Sequence, residues 1–435
     1  CRLSDAIIIN PKNTLEDTLD VSFVPMTMVD DQFSNQHISD TRKWASVKSG
    51  FTHFQEGDIG LAKITPCFEN RKSVILRNLT NGYGAGTTEL HILRSISEFI
   101  VTEYILWFVK SELFIVKGKQ AFSGAVGQQR IGKEYVSSSL FPLPPYNEQQ
   151  RIVDAISLAF TQIDIIEKDK SDLQTIIAQA KSKILDLAIR GKFVPQDPAD
   201  EPASVLLERI RAEKEQLIKV GKIKRDKSES YIFRGDDKSY YEKVGNCTTC
   251  IDAEIPFDIP EDWMWVRLGN IGKWQSGATP SRRNSEYYNG DIPWLKTGDL
   301  NDGFIFDTPE MITKQALSDT SAKINPIGSV LIAMYGATIG KMGILSIEAA
   351  TNQACCACSC FCGVKNIFLF YYLLSQRADF IAKGAGGAQP NISKEKIVNT
   401  LMPLPPMEEQ EKICKAIDLS LLHLSAIAEN LKQGF

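Results

Sequence analysis

The chain has 435 residues, enough for about three domains at ~150 residues each. With 43% hydrophobic and 23% charged residues it is ordinary for a globular protein, which excludes a disordered tail protein and a collagen-like one. A net charge of −4 excludes a globally basic binder of the chromatin type but leaves room for a local basic face.

The chain opens at Cys1 rather than a methionine and reads as cut at its front. No charged segment leading into an apolar one follows, and no stretch reaches the ~18 apolar residues of a membrane span, so a cytoplasmic protein is expected. The ten cysteines then read as reduced thiols, not a disulfide framework. The first globular part, 1–145, mixes strand and helix signals; examples are a strand over 58–64 and a helix over 104–117. Near its end lies a glycine-rich stretch, Gly124-Ala125-Val126-Gly127-Gln128-Gln129-Arg130. Pro144-Pro145 then mark the start of a helix, because proline is tolerated in the first turn but not in the interior.

That helix is expected over 147–190, ~66 Å at 1.5 Å per residue. Ile152, Ile156, Ala159, Ile163, Ile166, Lys170, Leu173, Ile177, Ala180, Ile184 and Leu187 step by four and three, the spacing of a coiled-coil seam. Gly191 is the expected C-terminal stop. The helical spacer region extends over 146–220: after Pro195, Pro198 and Pro202, a second amphipathic stretch carries Val205, Leu206, Ile210, Leu217 and Ile218. A linker covers 221–258. Its basic run, Lys222, Lys224, Arg225 and Lys227, reads as a solvated tail, and 226–258 as polar and irregular. The second globular part, 259–406, carries a strand over 330–335 and a helix over 368–382. A closing helix over 407–435 keeps the seam with Ile413, Ile417, Ser420, Leu424, Ile427 and Leu431.

The two halves are an imperfect duplication. Residues 141–153 read FPLPPYNEQQRIV and 402–414 read MPLPPMEEQEKIC. At a fixed shift of 261, 15 of the 31 positions from Gln128 to Leu158 are identical. A long helix with an apolar stripe needs a partner, and a two-fold-like duplication would set the two helices antiparallel. The inner parts have diverged far more than this frame, as in a scaffold that presents two different reading heads.

These residues bring the chain close to a known family. IPEDWMWVRLGNI at 259–271, SGATPSRRNSEYYNGDIPWLKTGDL at 276–300, GATIGKMGIL at 336–345, TNQA at 351–354, GAGGAQPNISKEKI at 384–397 and PLPPMEEQ at 403–410 follow one another in order. LAIRGKFVPQDPADEPASVLLERIRAEKE at 187–215 belongs to the same series. The chain resembles the specificity subunit of type I restriction–modification systems over nearly its whole length. It departs from that pattern in lacking a Trp-rich opening of the first domain and a counterpart of 188–220 after the second helix. The resemblance implies two α/β target-recognition domains separated by long antiparallel coiled-coil helices, with an internal pseudo-two-fold repeat. It implies a non-catalytic subunit. Each domain would read one half of a bipartite duplex DNA target, and the helices would set the spacing. Two methyltransferase subunits would dock on the helices, and restriction subunits would join them. S-adenosylmethionine, ATP and magnesium would belong to those partners.

A reading head needs cations for phosphates and Asn, Gln, Arg or Lys for base edges. The glycine-rich loops supply both. Gln128 matches Gln389, Lys133 matches Lys394, and Arg130 aligns with Asn391. Arg suits guanine and Asn suits adenine, as two different half-sites would require. Further candidates are Arg71, Lys72, Arg282, Arg283, Lys296 with Thr297, Thr338 and Lys341.

Rival chemistries fit less well. An adenine methyltransferase would need a polar residue where Leu143 and Leu404 precede the paired prolines. A helical scaffold without DNA binding is the other alternative. Gly336 to Met342 is one residue short of a phosphate-binding loop, with Met342 at the magnesium-ligand position. Cys247 and Cys250 have metal-ligand spacing but no second pair, and Cys356, Cys358, Cys360 and Cys362 alternate as on a strand face. No metal site is expected.

Overall fold

The computed structural model describes residues 1–125, 128–225, 229–384 and 391–433, and the chain divides into two units, 1–169 and 170–435. Both mix short strands with helices, as an α/β reading requires.

In the first unit, Ile7–Ile9, Leu90–Ser95, Ile59–Ala62 and Ser73–Ile75 form an antiparallel sheet in that spatial order. A second sheet orders Asp40–Lys43, Asp20–Val24, Tyr83–Gly86 and Thr52–Gln55, with a parallel pair in the middle. Ile59, Leu61 and Leu93 of the first sheet pack with Phe68, Ile105, Leu106, Val109 and Phe114. The single helix expected over 104–117 is two, Thr102–Lys110 and Glu112–Gln120. Ser111 breaks it: its backbone is extended, and its hydroxyl accepts a hydrogen bond from Phe114 N, capping the second helix.

In the second unit, a five-stranded sheet orders Gly272–Ser276, Cys355–Cys360, Val330–Ala333, Met342–Leu345 and Gly303–Ile305. A four-stranded sheet orders Glu310–Ile312, Tyr288–Leu295, Ala349–Thr351 and Ile324–Asn325. Here too the expected helix over 368–382 is divided, into Asn366–Ser375 and Arg377–Gly384, at Gln376. Cys356 and Cys358 face one core with Trp274, while Cys355 and Ala357 face the other side of the strand. Burial pushes the Cys356 thiol up to about 12, so it behaves as a small apolar side chain. Among the described residues no group of three or more His, Cys, Asp or Glu is placed to hold a metal ion.

Two expectations for the middle of the chain are corrected. Within the segment read as irregular, residues 230–250 are not: Ser230–Arg234, Tyr240–Val244 and Cys247–Cys250 form an antiparallel meander, while 226–228 lie outside the described residues. Tyr231, Ile232, Phe233, Tyr240, Tyr241 and Val244 favour strands despite the polar surroundings. Ile232 packs against Trp265, and Arg267 ties the meander down through Glu242 at 2.6 Å. Of the basic run, Lys227 lies outside the described residues; Lys222, Lys224 and Arg225 are exposed, as a solvated segment requires, but their backbone is not a free tail. Gly221, at φ +71°, ends the helix Ala203–Lys219, and Lys222 N bonds back to Leu217 O at 2.9 Å. That turn folds the run over the helix end, with Ile223 against the core.

The long helix runs from Tyr146 to Ile189, within one residue of expectation at each end. Gly191 takes φ +66°, and Lys192 N closes the helix on Leu187 O at 2.9 Å. Within the second unit the end of this helix and the helix Met407–Gln433 run in opposite directions. Lys181 meets Ser425 at 3.3 Å, while Gln196, further along the chain, meets Glu409 at 3.0 Å. Ala188 and Ile189 share a core with Ile413 and Ile417, and Ile184 and Leu421 pack on it. Ile177 is buried, and Leu424 and Leu431 are half-buried. The upstream stripe differs. Ile152 and Ile156 are half-buried, whereas Ile163, Ile166 and Leu173 are exposed, as is Ile427.

Candidate nucleic-acid interface

The duplicated frame is a set of hydrogen bonds. In the first unit Gln149 Oε1 accepts from Val101 N at 2.9 Å, and its Nε2 donates to Pro144 O at 2.9 Å and Phe99 O at 3.3 Å. In the second, Gln410 Oε1 accepts from Lys365 N at 2.9 Å, and its Nε2 donates to Pro405 O at 3.1 Å and Gly363 O at 3.4 Å. Each glutamine is buried and pins the first turn of its helix to the N-cap of a domain helix. The opening of each domain is fastened in the same way: Leu3 N bonds Ser139 O at 2.8 Å, and Leu268 N bonds Thr400 O at 3.0 Å.

From this frame the aligned residues Arg130 and Asn391 leave at equivalent places. Arg130 forms an isolated antiparallel bridge with Ile64, and Asn391 forms one with Tyr335. The next residues repeat the match: Ile131 N bonds Lys63 O at 2.9 Å, and Ile392 N bonds Met334 O at 2.8 Å. Lys133 and Lys394 each open a short helix, Lys133–Ser138 and Lys394–Val398, and both are exposed. Thus the aligned pair Arg130 and Asn391 occupies one backbone position with two different side chains.

Their surroundings differ. Arg130 is fully engaged: Nε and Nη2 reach Glu89 at 2.8 Å each, and Nη1 reaches Gln128 O at 2.8 Å. That hydrogen bonding holds the Glu89 carboxyl below its ordinary range. Gln128 is exposed beside it. Asn391 is exposed, with its own N bonded to Gly384 O at 3.0 Å. The turn after Val330–Ala333 brings Thr338 and exposed Lys341 onto the same strand end, joined by Lys341 N to Thr338 O at 2.9 Å. Gln389 lies outside the described residues.

A second cluster sits on the four-stranded sheet of the second unit. Arg282 lies over Tyr288 at 4.4 Å and Trp294 at 5.2 Å, and pairs with Glu310 at 2.7 Å. Lys296 shares that carboxylate. Its hydrogen bond, with Arg282 adding, holds Glu310 below the usual carboxylate range. Two cations on one carboxylate leave a net positive, stacked surface suited to phosphate or a base face. Arg283 is exposed and makes no ion pair or hydrogen bond among the described residues.

Arg71 and Lys72 do structural work. Lys72 Nζ donates to Val29 O at 2.7 Å and Met26 O at 3.1 Å. Arg71 Nε donates to Lys110 O at 3.0 Å, and the guanidinium pairs with Glu112. Beside them is a residue that sequence reasoning missed. Lys110 is fully buried, and its Nζ donates to Gln32 O at 2.6 Å, Ser34 O at 2.7 Å and Arg71 O at 3.1 Å. Burial first, and the Arg71 charge second, push its pKa down to about 8. His91 was also missed. Buried beside the strand end at Ile131, its Nε2 lies 3.1 Å from Ile131 O, and burial lowers its pKa. Nothing in the local pattern around either residue marks it.

Comparison with known proteins places this architecture. The sequence profile of the type I restriction modification DNA specificity domain matches residues 8–175 and 260–433. The specificity subunit of the type I restriction enzyme EcoAI from Escherichia coli is 31% identical over 94% of this chain and 75% of its own. That of EcoEI, from the same organism, is 30% identical over 96% and 76%. The crystal structure of the HsdS subunit from Thermoanaerobacter tengcongensis shares the fold, with a TM-score of 0.62 at 16% identity over all of this chain and 90% of that one. Among the described residues no helix is long and apolar enough to cross a membrane. With two matched domains, a duplicated frame and a long helix after the first of them, the chain belongs to the type I restriction–modification specificity family.

Proposed function

We propose that this chain is the DNA-reading subunit of a type I restriction–modification complex and does no chemistry itself. Each domain reads one half of a bipartite duplex target. The antiparallel helices set the separation and offer a face to two methyltransferase subunits, and restriction subunits complete the nuclease. S-adenosylmethionine, ATP and magnesium act in those partners.

The observation that carries this reading is the backbone equivalence of Arg130 and Asn391. One hydrogen-bonded frame, held by Gln149 and Gln410, presents unlike side chains at one place. A scaffold without a ligand gains nothing from keeping the frame and varying the loop. For bidentate contact with guanine, Arg130 must exchange the Glu89 carboxylate for the base edge. Glu89 thus sets a cost that the correct base offsets and a wrong one does not.

The test is methylation mapping with the chain and its methyltransferase partner. Arg130→Ala is expected to relax one half-site, and Asn391→Ala the other. Relaxation of both halves by either substitution overturns the assignment of one domain to one half. Methylation by the chain alone would make it an enzyme.

A further inference from the structure

A cleft of about 570 Å³ in the second unit is lined by Lys222, Lys224, Arg225, Lys273, Lys323 and Lys394, with Lys214 beside them and, among the described residues, no carboxylate in its wall. The cations come from separate elements. Lys222, Lys224 and Arg225 lie on the turn that Gly221 folds back over its helix. Lys273 projects outward from the edge strand Gly272–Ser276, whose Trp274 points into the core. Lys323 precedes the strand Ile324–Asn325, and Lys394 follows the reading loop of Asn391. Lys214 is matched by Glu229 at 3.0 Å and Arg225 by Glu215 at 2.7 Å. Lys222, Lys224, Lys273, Lys323 and Lys394 have no ion-pair partner among the described residues and are exposed.

We propose that this cleft holds the phosphodiester backbone of duplex DNA beside the second reading loop, without reading its sequence. The inference rests on the DNA-reading function above and names a contact outside the reading loops. Cations drawn from four separate elements around one open cleft suit a chain of phosphates better than a single small anion. The two aromatic rings in its wall, Trp274 and Phe361, are both buried, so among the described residues the cleft offers no open ring face on which a base could stack. Lys394 stands three residues after Asn391, which brings the cleft close along the chain to that candidate base-reading position. The turn at Gly221 is the device that turns a basic run into part of a groove.

The test uses the full chain with its methyltransferase partner, a duplex bearing the target and a scrambled duplex. The variant carries Lys222→Gln, Lys224→Gln, Lys273→Gln and Lys323→Gln together and leaves Lys394 in place. Each lost phosphate contact is expected to lower the slope of log affinity against log salt by about 0.9, so the slope should fall by about 2 or more. Affinity for both duplexes should fall together, with the ratio between them unchanged. The four-fold Lys→Arg variant should keep the slope. An unchanged slope in the Gln variant, while the unsubstituted complex still prefers the target, overturns the cleft and leaves the DNA-reading function standing. So does loss of assembly with the methyltransferase in place of loss of DNA affinity, which would assign the cleft to an acidic protein face, and so does equal loss in the Arg variant. If the unsubstituted complex shows no preference for the target, the DNA-reading function fails and the cleft with it.

Discussion

Gln149 and Gln410 stand 261 positions apart and make the same three bonds to the same kinds of partner. Nineteen residues upstream of each, Arg130 is locked to a carboxylate while Asn391 stands exposed at the same backbone position. The contrast teaches which part of a duplicated protein is held and why. The glutamine satisfies buried backbone groups that no other side chain of its length and polarity could satisfy at once, so change there is penalised in both units. The loop residue holds up no shared part of the frame: Arg130 answers to Glu89 and Asn391 to solvent.

The largest test of that contrast is to remove the frame. Gln149→Ala and Gln410→Ala each strand one buried N–H and two carbonyls and should destabilise their own unit by about 2–4 kcal/mol, read by urea unfolding. A large cost in one unit and none in the other would break the equivalence. Next is a property the units do not share. Counting from the two N-caps, Lys110 of the first unit corresponds to Leu374 of the second. Folded Lys110 releases its proton near pH 8, and the unfolded chain holds it to about 10.5. Between those values the unfolded state binds more protons, so stability of the first unit should rise with pH, by up to about 3 kcal/mol. Lys110→Met should remove this rise, and the second unit should never show it.

Smaller effects sharpen the loop side. Arg130→Ala should cost about 1–3 kcal/mol of base discrimination in one half-site, read as relaxed methylation there alone. The least effect is expected from Ser425→Ala. Its contact with Lys181 is a partly exposed polar one, and its loss should change stability by under about 0.5 kcal/mol.

Much of the frame was legible because it is written in residues with strong local rules. Paired prolines announce a helix start, a glycine past the last apolar step announces its end, and the long helix was placed to a residue at each end. The breaks at Ser111 and Gln376 were missed because the apolar run continues across them, and only the cap geometry shows the chain turning. The meander over 230–250 was missed because its strand-forming aromatics are diluted by charges. At the candidate site the matched loop pair was visible. The fate of each cation was not. Lys72 and Arg130 have the same local look as Lys133, yet one serves carbonyls, one a carboxylate and one solvent. Which it is depends on residues far along the chain.

In the second unit the strand Met264–Arg267 pairs antiparallel with Leu401–Leu404, and the helix Met407–Gln433 begins immediately after. The polypeptide thus enters and leaves this lobe through a single doorway. Length changes in exposed loops that do not touch this lobe's core are therefore the ones expected to leave the helix's point of departure where it was.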